Sequence, residues 1–339
     1  MADTPAAPVS ADPASILEPH RRELQLLCYR MTGSLHDAED LVQETMVRAW
    51  EKYTFFRGES SVRTWLYRIA ANLCLDALRR RRQPRRLRPR GPAADPRSPV
   101  GEPTPATEWL EPYPDSELPG PGDGPEDQAL MRERVSLAFS AALQLLPPRQ
   151  RAVLILADVL DWRTREIGAL LGMSEAAVQS ALHRGRVTLA RQDGVASPGA
   201  GPAAAPRDAE DGLLARYLAA WHAADVDALV ELLRDDATLS MPPFPSWYEG
   251  RQSIHHILSL HPFGFGRRAG WRLAPTRANG QPAFVLYRAD EPGGPYRSFG
   301  IMVLSVGSRE RNVAVSSLAI YKSSDLVARF GFPAERHDD

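Results

Sequence analysis

Leu24, Leu27, Cys28 and Met31 recur at helical spacing, and Gly33 then breaks the helix. The next run predicts a second helix from about His36 to Tyr53. Ala38, Leu41, Val42, Thr45 and Ala49 form its buried face at i, i+3, i+4. Asp40, Gln43, Glu44 and Val47 fall on the opposite side. The plain reading of that side is a solvated face; the sharper one is a docking surface for a basic partner. After Arg57-Gly58 a long helix is predicted from about Ser61 to Arg82. Its core stripe is Leu66, Ile69, Ala70, Leu73 and Ala77, and Arg68, Asn72, Leu75 and Arg79 line up as a second stripe.

The pattern then stops. Residues 83–125 are crowded with proline and glycine, which predicts a linker that cannot be a packed element. Within it lies an aromatic-acidic island, Trp109 to Asp115 (WLEPYPD). Helical patterning resumes at Glu126. Pro147-Pro148 starts a helix, Thr164 to Leu171 reads as a short helix, Gly172-Met173 as a turn and Ser174 as an N-cap for a helix beginning at Glu175. Val178, Leu182 and Leu189 face inward, while Glu175, Gln179, Ser180, His183, Arg184 and Arg186 stay exposed or flanking. Two short helices about a tight glycine turn predict a helix-turn-helix, whose second helix can lie in a major groove.

A second Pro/Gly/Ala linker covers 193–207. Beyond it the period changes from helical to strand-like. Leu213, Leu214, Tyr217, Leu218 and Trp221 begin an amphipathic helix; strands are predicted over 271–273, 283–288, 299–306 and 313–321. Helices followed by an antiparallel sheet suggest an α+β cone. His222, Asp225, Asp236 and His255 are the acid–base candidates there, each with a plainer reading as a surface or helix-end residue.

Charge changes the picture where composition does not. The net charge of −1 hides 16 basic against 9 acidic side chains in residues 18–90, 1 against 9 in 91–130, and 9 against 5 in 131–192. Two basic blocks thus flank an acidic linker, as suits contact with phosphate backbones. Eight of the twelve residues from Arg79 to Arg90 are arginine, more than a helix C-terminus needs for its dipole. Cys28 and Cys74 have no metal-site spacing and read as buried free thiols. No signal peptide and no run of about 18 apolar residues is present, so no membrane is expected and the cytoplasm is the expected compartment.

The stretches DAEDLVQETMVRAW and RTWLYRIAANLCLDALRRRR resemble region 2 of extracytoplasmic-function sigma factors of the sigma-70 family. The passage LPPRQRAVLILADVLDWRTREIGALLGMSEAAVQSALHRGRVTLAR resembles region 4 of the same family, although VQSALHRGR departs from its common recognition helix in lacking Lys and Arg near Gln179 and Ala181. ELLRDDATLSMPP and WYEGR resemble SnoaL-like domains of the nuclear transport factor 2-like superfold, which form an apolar pocket under a curved sheet.

The resemblance implies six segments: a disordered N-terminus (1–15), region 2 (16–84), a Pro-rich acidic linker (85–125), region 4 (126–192), a linker (193–207) and a SnoaL-like domain (208–333). The fold class is therefore multidomain, two all-α domains followed by an α+β cone. Asp40, Gln43 and Glu44 are implied to dock on the β′ coiled coil of core RNA polymerase, with β as a further contact. Arg63, Trp65, Arg68, Asn72, Arg79 and Arg80 are implied at the minus-10 element, where exposed bases stack on aromatics and arginines hold phosphate. Ser174, Glu175, Gln179, Ser180, His183 and Arg184 are implied at the minus-35 element. The acidic linker is implied to thread through polymerase toward the RNA exit path. Trp221, Trp247, Tyr248 and Trp271 are the pocket candidates.

The implied function is promoter recognition and melting, non-enzymatic and without cofactor or metal, with the tail modulating activity in cis. An anti-sigma factor and a small-molecule ligand are further candidate partners. Two alternatives stay open at this point: a helix-turn-helix regulator acting without core polymerase, and a regulator fused to a small-molecule enzyme. Promoter sequence and inducing signal are not legible.

Overall fold

The computed structural model describes residues 13–56, 58, 60–81, 84–87, 91–118, 136–191, 207–263, 270–291, 293–309 and 312–337. The disorder expected before residue 13, Arg82, Arg88 and Arg90, the helical start at Glu126 and most of the 193–207 linker lie outside these residues. The chain divides into two compact units, Met1–Arg82 with Leu146–Thr188 and Gln83–Leu145 with Leu189–Asp339.

In the first unit a short helix α1 (Pro13–Leu17) precedes α2 (Arg21–Thr32), α3 (Leu35–Lys52) and α4 (Val62–Arg80). Helix α1 lies partly inside the stretch expected to be disordered. Local signals set the boundaries. Gly33 ends α2 at φ 72°, where a side chain is strained, and Ser34 and Ser61 cap α3 and α4 through their hydroxyls. Leu24, Leu27, Val42, Ala49, Leu66, Ala70 and Leu73 form the buried seam. Leu75, placed by its spacing on the arginine stripe, is buried instead, so that stripe is broken. Cys28 and Cys74 are free and buried; their mutual hydrogen bond and the loss of solvent push the Cys28 thiol well up, leaving it inert.

The same unit holds α6 (Pro148–Leu154), continued by a π turn over Ile155–Val159, then α7 (Thr164–Leu171) and α8 (Glu175–Ala190). Helix α7 ends at Gly172 (φ 64°), and the Ser174 hydroxyl accepts from the Ala177 amide at 3.2 Å to start α8. The turn closes because Gly168 lets the chain approach: a Cβ there would sit 2.7 Å from the Met173 carbonyl oxygen. Gly168→Ala should therefore destabilise this unit by about 1–3 kcal/mol, since backbone rather than a flexible side chain must yield. Thermal unfolding followed by circular dichroism checks this, and an unchanged midpoint would contradict the close approach.

The second unit contains α5 (Leu137–Gln144) and the C-terminal domain. Helices α9 (Arg207–His222), α10 (Val226–Glu231) and α11 (Arg251–Leu260) accompany a seven-stranded sheet, and α12 (Ser324–Arg329) follows its last long strand. The strands are β1 (Leu233–Ser240), β2 (Trp247–Glu249), β3 (Trp271–Ala278), β4 (Gln281–Arg288), β5 (Tyr296–Arg309), β6 (Asn312–Tyr321) and β7 (Glu335–Arg336). Their order is β2-β1-β6-β5-β4-β3, with β7 on β5. The sheet is mixed rather than antiparallel: β1 runs parallel to β6, a pairing across some eighty intervening residues that no local signal announces. The Asn279-Gly280 pair (φ 54° and 69°) makes the tight β3–β4 hairpin. Leu213, Tyr217 and Trp221 of α9 share one core with Leu239, Ile254, Phe284 and Met302.

The described residues 84–87 and 91–118 form a packed strap, contrary to the expectation from their prolines. Proline bars it from helix and ladder, but extended chain can still lie along a surface and bury what it carries. Trp109, Leu110 and Tyr113 are buried. Ala94 and Thr104 donate backbone hydrogen bonds to the Trp247 and Pro243 carbonyls (2.7 and 2.8 Å). The Trp109 indole donates to Thr104 Oγ1 at 2.8 Å. The Tyr113 amide donates to Asn279 Oδ1 at 2.7 Å, and the Asn279 amide returns a 2.8 Å bond to the Tyr113 carbonyl. Several of its acids are engaged locally: Glu108 with Arg86, Glu111 with Arg85 and Asp115 with Arg277.

Candidate nucleic-acid interface

Asp40, Gln43 and Glu44 all stand exposed on α3, one to three turns from its capped start. Asp40 pairs loosely with His36 (3.7 Å) and Glu44 with Arg48 (2.7 Å), both at i,i+4 and open to solvent. Trp50 extends that face along α3, and Phe55 follows in the turn after the helix. Trp50 is 64% exposed and Phe55 is 79% exposed, and Val47 lies between the acids and Trp50. Large apolar side chains left in water on an acidic face mark a partner surface better than the acids alone. The available signal was Trp50 one helical step beyond Val47, off the core stripe.

Helix α4 brings together some of its expected residues and diverts others. Arg68, Asn72, Arg79 and Arg80 are exposed along it. Arg79 pairs with Asp76 at 2.9 Å. Trp65 is half-buried and tilts against Phe56, ring centroids 5.0 Å apart. Arg63 is engaged elsewhere: it donates to Glu23 at 2.8 Å, lies 4.9 Å from the Tyr67 ring and 5.9 Å from the Trp162 ring. Tyr67 in turn tilts against Trp162 at 5.2 Å. Burial first, then Glu23, pushes the Tyr67 hydroxyl up, so it stays neutral and donates to Glu23.

A second buried link involves Arg151 of α6, which is 3% exposed. It donates to the carbonyls of Met31, at the end of α2, and of Leu146. Burial and then the nearby Arg81 guanidinium push Arg151 down to about 9. Arg81 itself turns back from the end of α4 onto Asp37 and the Thr32 carbonyl. Helical segments before and after the strap are thereby closed on one another along α4.

In the helix-turn-helix, Ser174, Glu175, Gln179, Ser180, His183 and Arg184 are all exposed on one side of α8, and Val178, Ala181 and Leu182 are buried on the other. The Arg184 guanidinium donates to Ser180. Arg186 pairs with Asp158 at 2.6 Å, which raises its pKa and ties α8 to the π turn.

The C-terminal domain encloses a cavity of about 360 Å³. Trp221 and Trp271 line it, as expected; Trp247 and Tyr248 do not. Tyr248 is in the core, and Trp247, its neighbour on the opposite face of β2, donates its indole N–H to the Gly91 carbonyl of the strap. The acid–base candidates also lie outside the cavity lining. Asp225 caps α10, Asp236 pairs with Arg234, and His255 pairs with Asp227 at the surface. His222 is pushed down by burial and then by Arg272.

An exposed acidic and aromatic helix face, a basic helix and a helix-turn-helix in one chain define a DNA-binding protein that works docked on a partner. Sigma-70 region 2 matches residues 16–83, Sigma-70 region 4 matches 136–189 and the SnoaL-like domain matches 214–313. The chain is 44% identical over 336 residues to the ECF RNA polymerase sigma factor SigG of Mycobacterium tuberculosis, covering 97% of this chain and 86% of that one. It is 31% identical over 179 residues to SigW of Bacillus subtilis, covering 53% of this chain and 87% of that one. The crystal structure of the M. tuberculosis extracytoplasmic-function sigma factor SigJ shares the fold, with TM-score 0.56, 23% identity and coverage of 95% and 99%.

The chain belongs to the ECF RNA polymerase sigma factors. It thus serves RNA polymerase in initiating transcription at promoter DNA, and that role is not enzymatic. Among the described residues no helix is long and apolar enough to cross a membrane.

Proposed function

We propose that this sigma factor docks on the β′ coiled coil of core polymerase through Asp40, Gln43, Glu44 and the adjoining Trp50. The exposed acid-and-aromatic face of α3 carries that reading. Arg68, Asn72, Arg79 and Arg80 contact the minus-10 region, joined by Trp65 and by Arg63 once it leaves Glu23 and Trp162. The exposed face of α8 from Ser174 to Arg184 reads the minus-35 element, where Gln179 is placed near the N-terminal half that enters a groove. The protein works in the cytoplasm, with polymerase.

The Arg63–Trp162 and Arg151–Met31 links describe a closed state in which region 4 packs along α4. Polymerase must open it. The C-terminal domain modulates activity by holding the strap, the segment joining the two DNA-binding regions. An anti-sigma factor, where one exists, competes for the same opening step.

Run-off transcription with bacterial core polymerase and genomic promoter fragments tests this. Specific transcripts are expected from the full chain or from a 1–191 fragment freed of the tail. Silence from both, together with failure to bind core, would count decisively against the reading.

A further inference from the structure

The cavity of the C-terminal domain has a composition that selects its occupant. Its walls are chiefly aromatic and aliphatic, with Trp221, Trp271 and Phe299 meeting edge to face: Trp221 and Trp271 have centroids 6.3 Å apart at 89°, and Trp271 and Phe299 are 5.0 Å apart at 82°. Its volume, about 360 Å³, falls at the small end of ligand pockets. The ionisable side chains on its lining are His261, Arg288 and Lys322; none of the described lining residues is an aspartate or glutamate.

The cations gather at one place. Arg288 and Lys322 lie 5.8 and 5.5 Å from the Phe299 ring centroid, and Lys322 also lies 5.4 Å from the Phe244 ring. Arg288 is partly neutralised by Asp290 at 2.6 Å. Lys322 has no carboxylate within 4.0 Å among the described residues, so its charge is the one left for an incoming anion.

The two tryptophans contribute apolar surface to the wall. Trp221 is 2% exposed, and its indole N–H finds no acceptor among the described residues, whereas the Trp271 indole donates to the Pro262 carbonyl at 2.9 Å. That donor is itself closed to a molecule the size of water, so Trp221 serves the cavity through its apolar ring and not through its N–H. Val100 of the strap forms part of the same wall, held there by the Gly101 amide on Ser246 Oγ at 3.2 Å and Thr104 on Pro243.

We infer that this cavity is a binding site for a small apolar acid: a hydrophobic body among Trp221, Trp271 and Phe299, and an anionic head at Lys322 with Arg288. The acid makes contact with Val100, so its binding stiffens the strap. A site lined without carboxylates, with a cation at its rim, favours retention of an anion rather than acid–base turnover.

Binding is measured on the full chain without polymerase, so its outcome is independent of the docking and promoter assignments. The probe is 8-anilinonaphthalene-1-sulfonate, read by its fluorescence and by quenching of tryptophan emission, with decanoate and decanol as competitors. Saturable one-site binding is expected, displaced by decanoate at concentrations about tenfold lower than by decanol. Lys322→Glu, a surface change that leaves the fold intact, should weaken both anions about tenfold and leave decanol unchanged. Amide exchange across residues 94–104 should slow on saturation with decanoate. Absence of saturable binding overturns the site. Equal displacement by decanol, or an unaltered Lys322→Glu variant, overturns the anion assignment, and unchanged exchange overturns the contact with the strap.

Discussion

Reversing the charge at Asp40 and Glu44 together, each to arginine, should abolish promoter-specific transcription, with a loss of about 100-fold or more. The basis is geometric. The Asp40 and Glu44 side chains are 68% and 48% exposed, and their only described ion pairs are the intrahelical ones to His36 and Arg48. Pairs so open to solvent add little to stability, so the variant should fold with an unaltered circular dichroism spectrum. Against a basic partner the reversal replaces two attractions by two repulsions on the same face. Like charges set opposite one another at an interface cost several kcal/mol, which is where the large loss comes from.

Trp50→Ala on the same face should weaken core binding with the charges intact, because a solvent-exposed indole has its chance to be buried only against a partner. Unchanged core binding by the double reversal would move the docking surface off α3.

Regions 2 and 4 were legible in the sequence because what builds them is local. Ser34, Ser61 and Ser174 cap the helices that follow them, Gly33 and Gly172 end helices in left-handed conformation, and the buried residues of α8 fall at the spacing read from the sequence. The exposure of Asp40, Gln43 and Glu44, and of the α8 face from Ser174 to Arg184, inherits that clarity, since exposure on a helix follows from its period. Arg63 shows the limit. Its place on α4 was legible; its attachment to Glu23 and Trp162 depends on residues 40 positions before it and about a hundred after.

Likewise Trp247 and Tyr248 were both assigned to the pocket, but neighbours on a strand point to opposite faces, and neither face of β2 is the cavity's. The cavity draws Phe299 and Lys322 from the paired ends of β5 and β6, Leu239 from β1 through its parallel pairing with β6, and Val100 from the strap.

The strap departs furthest from what its prolines predict. Trp109→Ala should release the strap from the C-terminal domain. Trp109 is 2% exposed, its indole bonds Thr104, its carbonyl accepts from Arg85 at 2.8 Å, and Arg86 lies 5.5 Å from its ring. Truncating a buried tryptophan costs about 3–5 kcal/mol. Here that cost falls on a local element rather than on the whole domain, because the core around Tyr217 and Phe284 does not include Trp109.

Local opening should therefore become roughly 100- to 4,000-fold more populated. Cleavage by trypsin after Arg85 and Arg86 should accelerate by a similar factor, since proteolysis of a transiently opened segment follows its population. Glu102→Gln, exposed on the same strap, serves as the comparison and should leave cleavage unchanged. Equal cleavage of Trp109→Ala and the unaltered chain would mean that the strap is held by its backbone bonds to Pro243 and Trp247 alone. With accelerated cleavage, transcription becomes the deciding measurement. If the tail acts by holding the strap, Trp109→Ala must reproduce the promoter activity of the 1–191 fragment while keeping a folded C-terminal domain, a combination that loss of the domain itself cannot produce.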